Sequence, residues 1–205
     1  MKYFLFDLDG TILHSDEALI RLYRDCFARF GLPEPKAEDI LRYNGNTAED
    51  WVPLLDPSVP KKRIPEIVEW IRTAYATEYI PRYGKPEKGA LEMLAALREK
   101  SAKLCVVTNQ MRFETESSLR VMNFDFDATA CRSDVALPKP APDLVLDGVK
   151  RLGAKKGETL FVGDSFADAG AGKAAGVKTV LVRRVWNSNV DAEKIDSLKE
   201  VLKFL

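Results

Sequence analysis

The stretch that most constrains this chain is Tyr3-Phe4-Leu5-Phe6, a short apolar run that stops abruptly at Asp7-Leu8-Asp9-Gly10. A continuous apolar run of this length reads as a strand buried on both faces, which belongs in a parallel sheet covered by helices. Side chains two apart on a strand point the same way, so Asp7 and Asp9 would project together from its carboxyl end. Open α/β sheets place their ligands there. Two carboxylates in a partly desolvated crevice repel, so the pair calls for a cation or for an acid and a base in one place. Gly10 permits the sharp turn that follows.

The rest of the chain carries the same pattern forward. After residue 86, helical and strand-like segments alternate: a helix marked by Leu91, Met93, Leu94 and Leu97, then the apolar run Leu104–Val107, then a polar helix around Arg112–Met122. A short strand is expected near Phe126–Thr129, a helix through Leu144, Val145, Val149 and Leu152, and a strand at Thr159–Val162. The small-residue helix Ser165–Ala175, a fifth strand over Val177–Val182 and a last helix with Ile195, Leu198, Val201 and Leu202 on one face complete the series. Strands alternating with helices predict a doubly wound, Rossmann-like parallel sheet.

Residues 15–81 break that alternation. Ser15 is placed to cap a helix opening with Asp16 and Glu17, and Leu19, Leu22, Tyr23, Cys26, Phe27 and Phe30 recur at helical spacing. Thr47 and Asp50 resemble a capping box, and Ile64, Ile67, Val68, Ile71 and Tyr75 define a longer helical face. Pro81 to Pro86 reads as the return linker. The expected division is an α/β core of residues 1–14 and 82–205, with residues 15–81 inserted as an all-helical cap.

Charge narrows the partners. Lys plus Arg and Asp plus Glu number 31 each, so no basic excess advertises nucleic acid or an anionic membrane. No apolar stretch is long enough to span a bilayer. The chain runs straight into a strand with no leader, and its three cysteines are odd in number and widely spaced, so a reduced, cytoplasmic protein is expected.

Three later motifs bear on chemistry. Thr108 and Asn109 follow a strand directly, where a hydroxyl and free N–H groups can bind phosphate or merely cap the next helix. Lys139 lies in Leu-Pro-Lys-Pro-Ala-Pro, whose prolines restrict the backbone around a single cation. Gly163-Asp164-Ser165-Phe166-Ala167-Asp168 follows an apolar strand and opens a helix. Its two aspartates can face one crevice, while Asp164 can also serve as an N-cap. An anionic, oxygen-rich site of this kind suits Mg²⁺.

Taken in order, Asp7-Leu8-Asp9-Gly10-Thr11, Thr108-Asn109, Lys139-Pro140 and Gly163-Asp164 with Asp168 resemble the motifs of the haloacid dehalogenase superfamily, most closely its phosphoglycolate phosphatase-like branch with a helical cap. The resemblance implies a Mg²⁺-dependent phosphatase for a small phosphate ester, working alone or as a dimer. It makes Asp7 the nucleophile, Asp9 the general acid and base, and Thr108, Asn109 and Lys139 the phosphate clamp. Asp7, Asp164 and Asp9, the last through its carbonyl, would hold the metal, with Asp168, Gly10 and Ser165 in support. Asp9 disfavours a dehalogenase, which does without that second aspartate.

The runner-up is a β-phosphoglucomutase-like phosphomutase, whose cap arginine is replaced here by Ala48 in Gly45-Asn46-Thr47-Ala48. A phosphoacceptor receiver domain and a non-catalytic binding protein stand further off. Gln110 departs from the family, some of whose phosphatases carry lysine there. His14, the sole histidine, reads as a hinge residue packed against the cap, and Arg42, Asn46, Thr47 and Trp51 are the cap positions expected nearest the substrate.

Overall fold

The computed structural model describes residues 1–205. Strand β1 (Tyr3–Phe6) leads through a tight turn to the two-residue β2 (Leu13–His14) and helix α1 (Asp16–Arg29). Helices α2 (Ala37–Arg42), α3 (Ala48–Leu55), α4 (Ile64–Ala74) and α5 (Ile80–Tyr83) follow, the last two joined by a π-helical turn over Tyr75–Tyr79. The chain returns through β3 (Lys85–Pro86), which pairs antiparallel with β2. The core then runs α6 (Ala90–Glu99), β4 (Lys103–Thr108), α7 (Arg112–Met122), β5 (Ala128–Cys131), α8 (Asp143–Arg151), β6 (Thr159–Gly163), α9 (Phe166–Ala175), β7 (Lys178–Val182) and β8 (Glu193–Ile195).

All six core strands are parallel, in the order β5-β4-β1-β6-β7-β8. The first strand is therefore central, with β4 on one side and β6 on the other. The connections leave in opposite directions from β1, and the loops after β1, β4 and β6 open onto one crevice. Alternation along β1 serves both faces. Phe4 and Phe6 join the larger apolar cluster, which continues into the helical insertion through Leu22, Tyr23, Trp51 and Ile71. Leu5 joins Cys105, Val107, Phe161, Leu144 and Ala171 on the other face. Burying one such side chain contributes about 2 kcal/mol, so the core and the insertion share a continuous stabilising interface.

Several local expectations need correction. The sheet has a sixth strand, β8, which takes Ile195 out of the final helix. It was hidden because only Ile195 of Glu-Lys-Ile is buried. The remaining segment, Leu198–Phe204, is a 3₁₀-helix, a form with three residues per turn that suits the i, i+3 spacing of buried Leu198 and Val201. The strand expected near Phe126–Thr129 lies at Ala128–Cys131, and the stretch after Pro81 stays helical to Tyr83. Ser15 occupies the N-cap position of α1 without a capping bond, its buried Oγ unpaired. The Thr47 cap does form, accepting from the Asp50 N–H at 3.3 Å.

Candidate active site

The turn after β1 is built on one carbonyl. Leu8 O accepts from the N–H groups of Thr11, Ile12 and Leu13, folding Asp7 to Gly10 into a compact loop. Gly10 has φ +75°, and a Cβ there would lie 2.4 Å from Asp164 Oδ2, so no side chain fits. Asp7 and Asp9 both line the crevice between the sheet and the helical insertion, with Thr108, Asn109, Gln110 and Lys139 from the core.

Lys139 Nζ donates to Asp7 Oδ1 at 2.7 Å, to Asp168 Oδ1 at 2.7 Å and to Val107 O at 3.1 Å. An ammonium has three protons, and all are placed. Asp7 and Lys139 are 5% and 3% exposed, and Asp168 is fully buried. Burial pulls the Lys139 ammonium down, but Asp168 and Asp7 carry it above the usual lysine range. Burial pushes the Asp7 carboxyl up to about 7, reinforced by Asp168 and Asp9 and opposed by Lys139. Three carboxyl groups, those of Asp7, Asp164 and Asp168, have oxygens within 4.8 Å of one another.

Asp168 is saturated. Its Oδ2 accepts from the N–H groups of Asp164 and Ser165 at 3.1 and 3.0 Å and from Ser165 Oγ at 2.5 Å. Ser165 in turn caps α9, accepting from the Asp168 N–H at 3.2 Å. The N-cap is therefore Ser165, which leaves the buried Asp164 carboxylate to other partners. Asp164 accepts from Thr11 Oγ1 at 3.0 Å and Trp186 Nε1 at 2.9 Å. Burial pushes its carboxyl well above the ordinary range, aided by Asp168 and Asp7. Asn44 of the insertion donates to Asp9 O at 3.4 Å and to Asp164 Oδ2 at 3.5 Å, both long contacts.

Carboxylate oxygens of Asp7 and Asp164 lie within 4.8 Å of one another, and Asn44 Nδ2 touches both the Asp9 carbonyl and Asp164 Oδ2, so these groups form an all-oxygen donor set. A hard divalent cation fits it.

The remaining expected residues divide. Thr108 is buried at the end of β4, and its Oγ1 accepts from the Gln110 N–H at 3.2 Å, leaving the hydroxyl proton to donate. The Asn109 side chain is a stitch: it accepts from the Lys139 N–H at 2.8 Å and donates to Lys139 O and Gly45 O. Asn46, Thr47 and Trp51 line the crevice, whereas Arg42 lies outside it, with its side chain 65% exposed and beside Asp39. His14 sits on the β2–β3 ribbon with Nδ1 3.7 Å from Glu87, which Arg184 also holds while donating to Gly10 O at 2.7 Å.

Among the other residues lining the crevice are Tyr75, Arg72, Asn44 and Glu114. Tyr75 had shown only as one position on an apolar helical face, and Gln110 only as a departure from family pattern.

Glu114 provides a test of its own. Burial raises its carboxyl from 4.5 to about 7, against the Met111 N–H, which donates to it at 2.6 Å, and against Arg72. An acid whose folded pKa is raised binds its proton more tightly folded than unfolded. Its stabilising contribution is full below 4.5 and lost as pH climbs through about 7. Glu114→Gln keeps an oxygen for the Met111 N–H. It should melt roughly 5 °C above wild type at pH 8, an advantage that shrinks at pH 5, as thermal melts at the two pH values will register.

Comparison with known proteins identifies the family. The haloacid dehalogenase-like hydrolase family matches residues 4–182. The chain is 32% identical over 180 residues to pyrophosphatase PpaX of Halalkalibacterium halodurans, covering 87% of this chain and 81% of that one. It is also 32% identical over 183 residues to phosphoglycolate phosphatase of Aquifex aeolicus, covering 88% and 84%. A crystal structure from Bacteroides fragilis, provisionally classed as a haloacid dehalogenase-like hydrolase, superposes with a TM-score of 0.89 at 25% identity, covering 98% and 99% of the two chains. With its α/β core, helical insertion and phosphatase relatives, the chain belongs to the haloacid dehalogenase-like hydrolases, as an enzyme of the phosphatase type.

Proposed function

We propose that this enzyme hydrolyses a small phosphomonoester through an aspartyl-phosphate on Asp7, with Mg²⁺ as cofactor. The observation that carries the reading is the buried Asp168–Lys139–Asp7 line, with both ion pairs at 2.7 Å. Lys139 holds Asp7 by Oδ1 and leaves Oδ2 as the attacking oxygen. Its charge favours the ionised nucleophile.

In the first step Asp7 Oδ2 bonds to phosphorus, and the ester P–O bond breaks with its electron pair leaving on the alcohol oxygen. Asp9 supplies that oxygen with a proton. In the second step Asp9 takes a proton from water as the water oxygen bonds to phosphorus, and Asp7 is released with inorganic phosphate. The Thr108 hydroxyl donates to a phosphoryl oxygen, and Asp168 keeps Lys139 aimed. Mg²⁺, held by Asp7, Asp164 and the Asp9 carbonyl, would supply Lewis-acid neutralisation of phosphoryl charge.

Residues 15–81 act as the cap that encloses the leaving group and excludes water. No helix is long and apolar enough to cross a membrane.

Water as the acceptor distinguishes a phosphatase from a phosphomutase. The loop Gly45–Ala48 brings no cation to the crevice, and Arg72, which does line it, is paired with Glu49 at 2.8 Å. A second phosphate therefore lacks a free bidentate partner. Incubation with a panel of phosphometabolites and Mg²⁺ should release free phosphate. β-Glucose 1-phosphate with catalytic glucose 1,6-bisphosphate belongs in the panel, because rapid conversion to glucose 6-phosphate with little free phosphate would overturn the assignment.

A further inference from the structure

The Asp9 carboxylate is held by two neutral side chains from opposite sides of the crevice. Tyr75, on the π-helical turn of the cap, donates its hydroxyl to Asp9 Oδ1 at 2.8 Å. Gln110, two residues beyond β4, donates Nε2 to Asp9 Oδ2 at 2.7 Å. The same Nε2 lies 2.7 Å from Tyr75 Oη, and Ser118 Oγ donates to Gln110 Oε1 at 3.1 Å. Tyr75, Gln110 and Ser118 are 4%, 9% and 0% exposed.

Counting protons fixes the arrangement. The phenol has one hydrogen, and it goes to Asp9. The amide nitrogen has two, one for Asp9 and one for the phenol oxygen. Ser118 gives its hydrogen to the amide oxygen, which settles the amide's orientation, since the flipped amide would set an oxygen against the carboxylate. The Tyr75 hydroxyl, 4% exposed and 2.8 Å from a carboxylate oxygen that can only accept, is the donor of that pair. Each Asp9 oxygen thus has one lone pair occupied by a neutral donor.

We propose that Tyr75 and Gln110 are positioning residues for the acid–base step, holding the Asp9 carboxyl so that its transferable proton sits on a lone pair directed at the leaving oxygen. The proposal rests on the phosphatase reading above. A phenol buried only for packing needs one acceptor. This one instead belongs to a four-residue circuit that closes on Asp9, its oxygen also lying 3.3 Å from Ser118 Oγ. The circuit also explains glutamine at position 110: a lysine there would place a full charge beside Asp9 and would offer no acceptor to Ser118.

Leaving-group dependence separates positioning from packing. An oxygen that departs as a stable anion needs no proton, whereas a basic one does. We would measure kcat/KM with Mg²⁺ for p-nitrophenyl phosphate, whose phenol is acidic, and for phenyl phosphate, whose phenol is far less so. Tyr75→Phe should lose about tenfold more on phenyl phosphate than on p-nitrophenyl phosphate. Gln110→Met, which removes the other donor at similar volume, should show the same discrimination and keeps the test open if Tyr75→Phe fails to fold. Equal losses on both esters, or none, in a variant with wild-type melting would overturn the proposal and leave the circuit as packing. Wild type inert toward both esters would overturn the phosphatase reading and this proposal with it, whereas active wild type with unselective variants overturns this proposal alone.

Discussion

Asp7→Asn should abolish turnover, by about a thousandfold or more, while the protein still folds. Asparagine retains the shape of the side chain but presents an amide where the mechanism needs an attacking carboxylate. The fold has no reason to fail. Lys139 would keep its bonds to Asp168 and Val107 O, so its ammonium stays paired at 2.7 Å in a buried site. Relief of carboxylate crowding also works in the variant's favour, since burial already pushes the Asp7 carboxyl up to about 7. The measurement is phosphate release alongside a thermal melt. Near-normal activity in a folded Asp7→Asn protein would end the covalent mechanism, and a collapsed melt would mean that Asp7 is a structural ion-pair partner first.

The central strand, the doubly wound sheet and the helical insertion were legible in the sequence because each rests on a local signal: the apolar run Tyr3–Phe6, the alternation after residue 86, and helical periodicity from Leu19 to Tyr75. The buried charges were legible for a related reason, since an aspartate at the tip of an apolar strand has few roles besides chemistry or capping. Strand β8 was not, because a single buried residue, Ile195, carries no period.

Capping at the two serines was ambiguous for the same physical reason in opposite directions. Ser15 had the right residue type without the bond, and Ser165 took the cap that Asp164 could have taken. The Tyr75–Gln110–Ser118 circuit lay beyond reach altogether. Its members come from the insertion, the loop after β4 and α7, and only folding brings them to Asp9. The commitment of Asn109 to Gly45 and Lys139 is likewise a tertiary fact that no spacing encodes.

The other large effect concerns the cation. Asp7, Asp9, Asp164 and Asp168 gather around a single ammonium, Lys139, and a bound phosphoryl group would add further negative charge. Arg184 cannot make up the difference, because its guanidinium is committed to Gly10 O and to Glu87 at 2.6 Å. Unbalanced buried charge is costly, and burial together with the neighbouring carboxyls pushes Asp7 and Asp164 upward for that reason. A divalent cation on Asp7 and Asp164 would offset that charge directly. Chelation with EDTA should therefore abolish activity, and added Mg²⁺ should restore it. Mg²⁺ should also raise the melting temperature of the wild type and do so far less in Asp164→Asn, a readout independent of turnover. Ca²⁺ should raise the melting temperature as well but support little hydrolysis, because its larger, looser coordination positions the attack poorly. Full activity in excess EDTA, or a Mg²⁺-induced shift undiminished in Asp164→Asn, would show that these carboxylates balance their charge in some other way.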